Sequence, residues 1–240
     1  MRPFPPRYLP GPSSRLVATL TLLVACSDSG GFQPNYNPPA PVFTNPTALT
    51  NPYLPYASMI RDTLQGTEGG QSVLIQRTRM SGTKTFTMNG QTFEAMILED
   101  RDSVNGVMEE VTLDYLAQSD DGTVYYLGED VDIYQGGQVV SHDGGWLLGV
   151  NTNVAGILMP GQPAVGDKFR GEDVTGVTRE DDEVLSVSET VTVPAGTYTN
   201  CVKIRETGSD GSVEYKYYAP NVGVVREAPA GGGLDLTAHH

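Results

Sequence analysis

The feature that most constrains the fold is a series of short turn signals that recurs along most of the chain. Asn89-Gly90 separates two alternating runs, and Asp120-Asp121-Gly122 and Asp210-Gly211 separate others. Asn-Gly between alternating apolar and polar residues is the strongest short hairpin signal, because a type I′ turn needs a positive φ at both positions. The sequence therefore predicts short antiparallel strands joined by hairpins.

About ten such strands are predicted in a β-domain that covers residues 57–228. A sheet of many short strands must close, curl or double over to cover its edges. We therefore predict an all-β domain, built as an antiparallel barrel or curled half-barrel. One short N-terminal helix is predicted from Tyr56 to Leu64, and Gly66 ends it.

Residues 1–25 have the parts of a secretory signal. Arg2, Arg7 and Arg15 form a positive leader that contains no acidic residue. Leu16 to Ala25 is a largely apolar run, and it is far shorter than the roughly 20 residues of a membrane-spanning helix. The segment is therefore predicted to be a signal peptide that is removed.

The end of this segment, Leu23-Val24-Ala25-Cys26, resembles the lipobox of bacterial lipoproteins. The resemblance implies cleavage before Cys26, a diacylglyceryl thioether on its sulfur and acylation of its amine. Several acyl chains make a stable membrane anchor, whereas one chain binds only marginally. Ser27, rather than Asp, follows the cysteine, which resembles the pattern of proteins directed to the outer membrane.

Residues 26–56 are predicted to be the lipidated cysteine and a tether. Seven prolines and a single charge, Asp28, without periodicity are typical of an extended and poorly ordered segment. At about 3 Å per residue it could hold the domain up to about 90 Å from the membrane. The alternative is that its aromatic residues lie along a partner. Residues 229–240, which include Gly231-Gly232-Gly233, are predicted to be a disordered tail.

The chain is strongly acidic, with 29 acidic and 15 basic residues and a net charge of −14. Removal of residues 1–25 takes away three basic residues, which leaves 12 against 29 and a net charge of −17. Such a chain is repelled by nucleic acid and by anionic lipid. We therefore exclude nucleic acid as a partner and assign membrane contact to the lipid anchor.

The cysteines and histidines do not indicate a cofactor or metal site. With Cys26 lipidated, Cys201 has no partner for an intrachain disulfide and is predicted to be a packed thiol in a strand. His142, His239 and His240 are too few and too badly placed for a zinc site. Calcium remains an alternative at five carboxylates: Asp120, Asp121, Glu129, Asp130 and Asp132.

Four segments in the second half of the chain resemble a set found in exported bacterial β-domains. They are Asp121-Gly122 through Glu129-Asp130, Met159-Pro160 with Val165-Gly166-Asp167, Val193 to Tyr198, and Glu214 to Gly223. The resemblance implies an uncharacterised envelope β-protein and supplies no catalytic residues to transfer. Within it, Tyr215 and Tyr217 are predicted to face the core beside Val213.

Charged residues interrupt several apolar strand faces. Glu189 lies on the face of Val191, Glu109 precedes the face of Val111, and Arg77 and Arg79 follow Ile75. One interpretation puts these charges at sheet ends or on a polar lip. The other is a partly polar cavity in which Arg77 or Arg79 faces Glu189 or Glu109 around a ligand.

The single tryptophan, Trp146, follows a turn and precedes apolar residues. It is predicted either to lie half-buried at the mouth of a cavity or to be a core residue that fills the end of the barrel.

The sequence contains no Gly-x-Ser-x-Gly elbow, no His-Glu-x-x-His and no phosphate-binding glycine loop, so a non-catalytic protein is predicted. Two functions remain open for a periplasm-facing lipoprotein of the outer membrane. The first is binding of an apolar or amphipathic ligand in the barrel, with Trp146, Arg77 and Glu189 as ligand-binding residues. The second is an accessory subunit that docks onto a larger envelope complex.

Overall fold

The structure is a computed structural model that describes residues 31–240. The predicted signal peptide, the lipobox and the lipid attachment at Cys26 lie outside the described residues. Across residues 31–240, no helix has the length and apolar composition needed to cross a membrane.

The described residues form one antiparallel sheet of 14 strands, which confirms the all-β class. The strands are β1 (Arg61–Glu68), β2 (Gln71–Met88), β3 (Gln91–Val104), β4 (Val107–Gln118), β5 (Val124–Gln135), β6 (Gln138–Ser141), β7 (Trp146–Leu147), β8 (Gly156–Met159), β9 (Lys168–Val174), β10 (Thr178–Val193), β11 (Gly196–Gly208), β12 (Val213–Ala219), β13 (Gly223–Pro229) and β14 (Gly232–His239).

The sheet consists of two meanders, β1 to β6 and β9 to β14, joined by the pairing of β1 with β14. The short strands β7 and β8 also pair with β5. Gly156 of β8 lies so close to β9 that a Cβ there would be 1.8 Å from the carbonyl oxygen of Gly171. The sheet therefore curls until its two ends approach, but the hydrogen-bonded strand order is not closed into a barrel.

The predicted turns are found between the strands. Asn89 and Gly90 have φ angles of 52° and 79° and join β2 to β3 as a two-residue hairpin. Asn221, between β12 and β13, also has a positive φ of 60°. Positive φ at these positions is why the sequence uses Asn and Gly there.

The predicted helix from Tyr56 to Leu64 is wrong. Residues 56–58 form a turn, and the strand β1 begins at Arg61. Asp62 and Leu64 are buried and alternate with more exposed neighbours, which is the period of a strand rather than a helix. Gly66, predicted to end the helix, instead lies where a Cβ would be 1.8 Å from the Gly233 carbonyl oxygen of β14.

The prediction of a poorly ordered tether is wrong for residues 32–56, because this segment packs along the sheet. We call it the N-terminal arm. The Phe43 ring stacks on Phe93 with 3.9 Å between ring centroids. The side chains of Leu49 and Leu54 are buried in the main core. The apolar side chains of the arm therefore cover this domain itself, so they are not free to hold it away from the membrane.

The predicted disordered tail at residues 229–240 is also wrong over most of its length. Residues 232–239 form β14, which pairs with β1 and β13. Leu234 and Leu236 alternate with polar residues and are buried. Two apolar side chains on one face, with a neighbouring strand on each side, outweigh the flexibility of the glycines before them.

The sheet has two differently covered faces. The inner face points into the curl, and the outer face of β2 to β5 carries the aromatic residues that the N-terminal arm covers. On β4, Tyr115 and Ala117 belong to the outer cluster, whereas Glu110 and Asp114 are buried between other inner-face residues. The apolar face of β4 that Val111 begins in the sequence is therefore the outer one.

The same inversion occurs on β12. Tyr215 and Tyr217 lie under the ammonium group of Lys203, which is 4.5 and 5.3 Å from the two ring centroids, and both are only partly buried. Lys216, Tyr218 and Ala219 are the buried residues of this strand. The predicted core-facing role is therefore wrong for Tyr215, whereas Tyr217, although only partly buried, packs against the main core.

Candidate functional site

The inner face carries an unusual number of ionisable side chains. Among the described residues, eleven carboxylates and two cations are buried, and the strand registers bring them onto the same face. The carboxylates belong to Asp62, Asp100, Asp102, Glu110, Asp114, Glu129, Glu172, Glu180, Asp182, Glu206 and Glu227, and the cations to Arg77 and Lys216. Buried charges are costly unless they are paired, protonated or bound to a cation.

Arg77 is the centre of the first group. It is the cross-strand neighbour of Asp62 on β1 and of Asp100 on β3. Its Nη2 donates to Glu227 Oε1 at 2.6 Å, and its Nε lies 3.3 Å from Asp100 Oδ2 and 3.8 Å from Asp62 Oδ1. One guanidinium therefore neutralises carboxylates from three strands, and we call this set the Arg77 centre.

Lys216 is the centre of the second group. Its Nζ lies 2.7 Å from Glu206 Oε2 on the neighbouring strand β11. Asp182 of β10 is the cross-strand neighbour of Glu206, and Glu180 lies two residues before it on the same face. We call Lys216, Glu206, Asp182 and Glu180 the Lys216 centre.

Trp146 connects the two ends of the curled sheet. Its indole Nε1 donates to Glu172 Oε1 of β9 at 2.9 Å, and Thr178 Oγ1 donates to the other oxygen of Glu172 at 2.5 Å. The Tyr126 ring packs edge-on against the indole with 5.3 Å between centroids. Tyr126 in turn donates its hydroxyl to Asp114 Oδ1 at 3.0 Å. The indole is thus fixed by a hydrogen bond to Glu172 and by edge-on packing of the Tyr126 ring.

An internal cavity of about 30 Å³ lies between the two centres. Its polar lining includes Arg77, Lys216 and Asp114, and Leu98 and Leu116 are among its apolar residues. Since one water needs about 10–15 Å³ of such volume, the cavity has room for about two water molecules. An acyl chain or a comparable apolar ligand does not fit there.

Burial changes the acid–base properties of the Arg77 centre. Burial raises the pKa of Asp62 to about 6, although the positive charge of Arg77 opposes this shift. Burial likewise raises the pKa of Asp100 to about 8, again against the charge of Arg77. The pKa of Asp114 is raised to about 6 by burial, against the hydrogen bond from Tyr126. These groups thus take up protons in the neutral pH range.

The Lys216 centre is shifted in the same direction. Burial raises the pKa of Glu206 to about 7, against the positive charge of Lys216. Burial and the neighbouring negative charges raise the pKa values of Glu180 and Asp182 well above the ordinary range. Three carboxylates around one ammonium therefore take up protons or another cation.

The structure separates the three residues predicted to bind a ligand. Trp146 is buried against Tyr126 and is not among the residues that line the internal cavity. Arg77 does line that cavity, within its ion pairs. Glu189 lies on β10 opposite Cys201, is only partly buried, and is not among the ion-pair partners of Arg77.

The other charged candidates also lie elsewhere. Arg79 donates to the backbone carbonyl oxygens of Tyr56 and Ala57 at 2.9 Å, so it holds the end of the N-terminal arm. Of the alternative calcium ligands, Asp120 accepts hydrogen bonds from Thr44, and Asp130 forms an ion pair with Lys84 at 3.0 Å. The described geometry does not bring those carboxylates together as one site.

Most of the inner-face carboxylates were not predicted as site residues from the sequence. A signal was present in β3 and β4, where Asp100 and Asp102, and Glu110 and Asp114, recur with the period of two that places residues on one strand face. Such a face is ordinarily the solvated one, because charges are rarely buried. Only the curled sheet shows that this face points inward.

Comparisons with known proteins give little. No family model matches this chain, and no curated protein matches it. Among solved structures, the crystal structure of a "putative lipoprotein" from Parabacteroides distasonis ATCC 8503 aligns with a TM-score of 0.39 and 13% sequence identity, over 78% of this chain and 98% of that chain. A likeness this distant does not indicate what the chain binds or does.

Proposed function

We propose that this chain is a lipid-anchored envelope protein whose β-domain is a non-catalytic accessory subunit and acts through its outer surface. The observation that carries the proposal is the inner face, where eleven buried carboxylates, Arg77, Lys216 and Trp146 occupy the space that a ligand would need. The cavity of about 30 Å³ beside Arg77 and Lys216 is too small for an apolar ligand.

The sequence Leu23-Val24-Ala25-Cys26 supports the anchor. The packing of the N-terminal arm changes what that anchor does, because Asn35 is already fixed to the domain by a hydrogen bond from its Nδ2 to the Gly166 carbonyl oxygen. At about 3.5 Å per residue, the chain between Cys26 and Asn35 keeps the domain within about 30 Å of the anchor. A partner in or on the same membrane is then within reach.

The strand β6 is the best candidate for the docking edge. At the other end of the strand order, Gly156 of β8 lies against Gly171 of β9, and the Asn35 and Tyr36 amides of the arm donate to the Lys168 carbonyl oxygen of β9 at 3.0 Å. On β6, Val139 and Val140 are both exposed. An uncovered edge strand with apolar side chains is a template for strand addition by another chain.

Native mass spectrometry of the protein extracted from its own membrane tests this proposal. We expect a mass increase at Cys26 that corresponds to a lipid, and a larger species that contains another envelope protein. The Cys26→Ala variant should lack the added mass and should not partition with membranes after a high-salt wash. A lipid or other apolar molecule retained non-covalently by the domain would contradict the proposal and favour the ligand-binding alternative.

A matched pair of variants tests the docking edge. Val140 on β6 and Val107 at the start of β4 each have 53% of their surface exposed, so neither substitution should affect the core. We expect Val140→Lys to dissociate the larger species and Val107→Lys to leave it intact. Equal behaviour of the two variants would show that β6 is not the docking edge.

A further inference from the structure

Three carboxylates of the Lys216 centre converge closely enough to share one ion. Glu180, Asp182 and Glu206 each offer an oxygen, and these oxygens all lie within 4.8 Å of one another. The residues are buried, with 8%, 4% and 7% of their surfaces exposed. Asp182 and Glu206 are direct cross-strand neighbours, and Glu180 is opposite Gly208 at the end of β11. The group therefore lies near the turns at one end of the curl.

An unsatisfied atom in this group points to a missing partner. Asp182 Oδ1 is buried and accepts no hydrogen bond. A buried carboxylate oxygen without a donor is costly, and buried polar atoms in native proteins are nearly always satisfied by protein, water or an ion.

Two of these carboxylates lie directly against Gly171 of β9, in the place that a side chain at this position would occupy. A Cβ on Gly171 would lie 2.3 Å from Glu180 Oε1 and 2.7 Å from Asp182 Oδ2. Only a residue without a side chain allows both carboxylates to reach this place. The absence of a positive φ at Gly171 means that the backbone itself does not require glycine.

The local charges favour a cation. The three carboxylates have one ammonium among them, that of Lys216, which lies on Glu206. Glu172 adds a further carboxylate as the cross-strand neighbour of Glu180. The group therefore keeps an excess of negative charge in a buried place, unless protons or a cation neutralise it.

We propose that Glu180, Asp182 and Glu206 bind a hard divalent cation, with Ca²⁺ as the best fit. The donors are all carboxylate oxygens, which hard cations prefer. Oxygens at about 2.3–2.6 Å from a common Ca²⁺ are at most about 5 Å apart. The three oxygens here lie within 4.8 Å of one another, so one Ca²⁺ can reach all of them. Mg²⁺ fits less well, because it needs regular octahedral geometry and usually retains several waters. This site is independent of the proposed docking function.

Terbium luminescence tests the site directly. Tb³⁺ takes the same oxygen ligands as Ca²⁺, and a nearby excited indole transfers energy to it. The chain has a single tryptophan, and the indole of Trp146 binds Glu172, the cross-strand neighbour of Glu180. With the full chain in detergent, excitation of Trp146 should give Tb³⁺ emission that added Ca²⁺ displaces. The unfolding temperature should also rise with Ca²⁺ concentration, as mass action requires.

Two substitutions distinguish this site from the acidity of the protein as a whole. Loss of an outer contact typically weakens a metal site 10- to 100-fold, so loss of a ligand in Asp182→Asn should weaken Tb³⁺ binding by about 100-fold or more. Asp102→Asn is the matched control, because Asp102 is also buried and also has an oxygen without a hydrogen-bond partner, but lies outside the three-carboxylate group. It should bind Tb³⁺ like the unmodified protein.

Gly171→Ala removes the site without changing a ligand. Its Cβ would displace the two carboxylate ends, which are flexible, so the fold should persist while emission is lost. Asp182→Asn should be about as stable as the unmodified chain in EDTA, because it replaces a buried carboxyl group, one oxygen of which has no hydrogen-bond partner, by a neutral group of the same size. Absence of emission from the unmodified protein, retention of emission in Asp182→Asn, or equal loss in Asp102→Asn would each overturn the proposal.

Discussion

The Arg77 and Lys216 centres each place one buried cation among several buried carboxylates, but the two cations differ. Arg77 contacts Glu227, Asp100 and Asp62 with one planar group, so each of these carboxylates has a guanidinium nitrogen within 3.8 Å. Lys216 places its ammonium on Glu206. Asp182 Oδ1 in this centre has no hydrogen-bond partner, and the same is true of both Asp62 oxygens and of Asp100 Oδ1 in the Arg77 centre. The guanidinium has five donors in a rigid fork, whereas the ammonium is a compact point charge. The comparison indicates that Arg77 lies near carboxylates from three strands, whereas Lys216 makes a short ion pair with Glu206. Buried oxygens without hydrogen-bond partners occur in both centres, so both hold protons or a further cation.

Glu227 connects the two centres. It accepts from Arg77 and is the cross-strand neighbour of Lys216 on β12. A change of charge in one centre therefore alters the electrostatic energy of the other. The changes in the free energy of unfolding caused by substitutions in the two centres should not be strictly additive.

The largest predicted effect is a loss of stability as the pH rises, because both centres hold protons in the fold. The folded pKa of Asp100 is about 8 and its unfolded pKa is about 3.9. The folded chain therefore keeps a proton on Asp100 that the unfolded chain releases. The contribution of this proton to the free energy of unfolding is fully present below about pH 4 and is lost as the pH rises through about 8. At about 1.4 kcal/mol per pH unit, Asp100 alone contributes about 4 kcal/mol between pH 5 and pH 8. Glu206, with a pKa of about 7, adds to this in the same direction.

Urea denaturation in EDTA at pH 5 and at pH 8 measures this effect. Asp100→Asn should flatten the pH dependence, since it removes the carboxyl group whose pKa burial raises to about 8. Stability that increases from pH 5 to pH 8 in EDTA would contradict the prediction and would mean that these carboxylates are ionised in the fold.

The next effect is the loss of the cation of the Arg77 centre. Arg77→Met leaves three buried carboxylates without their shared guanidinium, and breaking a buried ion pair by removing one partner costs about 3–5 kcal/mol. The free energy of unfolding at pH 7 measures the cost. Arg101→Met is the control, because Arg101 is exposed and pairs with Glu99 at 2.7 Å on the outside. A surface pair of this kind contributes at most about 1 kcal/mol. A similar cost for both variants would contradict the role of the Arg77 centre.

The turns and the strand class were predictable from the sequence, because they depend on local chemistry. Asn89-Gly90 needs nothing but its own backbone preference to make a hairpin. The inner face was not predictable, because a strand such as β4 has one apolar and one acidic face, and local sequence does not tell which faces inward. That choice depends on Phe43 and the other arm residues, which cover the apolar face from a distant part of the chain.

The errors at the two ends of the domain have the same cause. Proline-rich composition describes the residues 32–56 correctly as non-helical and non-strand, but Leu49 and Leu54 find apolar surface that only the folded sheet provides. The glycines at the start of β14 suggest flexibility, yet Gly66 and Gly232 permit β1 and β14 to approach each other, because a Cβ on either would clash with a backbone carbonyl oxygen of the other strand. The three-carboxylate site was missed because Glu206 is separated from Asp182 by a long hairpin.

A smaller effect is expected at the Lys216 centre, and it should depend on Ca²⁺. Lys216→Met removes the ammonium beside Glu206 and should cost about 3 kcal/mol in EDTA. In saturating Ca²⁺ the cost should fall, because a cation at Glu180, Asp182 and Glu206 takes over the neutralisation of Glu206. Paired denaturation curves in EDTA and in Ca²⁺ measure the difference. Arg77→Met, whose centre lacks such a site, is the control and should cost the same in both conditions.

The smallest effect separates the charge of Arg77 from its shape. Arg77→Lys keeps the positive charge but replaces two separate nitrogens, Nη2 on Glu227 and Nε near Asp100 and Asp62, by a single ammonium, so it converts the Arg77 centre into one like that of Lys216. Since a hydrogen bond to a charged group contributes about 1.5–3 kcal/mol, we expect a cost of about 2 kcal/mol, less than that of Arg77→Met. Urea denaturation of the two variants under the same conditions measures the two losses in the free energy of unfolding. If Arg77→Lys costs nothing, any cation suffices and the difference between the two centres has no energetic basis. If it costs as much as Arg77→Met, the geometry of the guanidinium, rather than its charge, holds the three strands together.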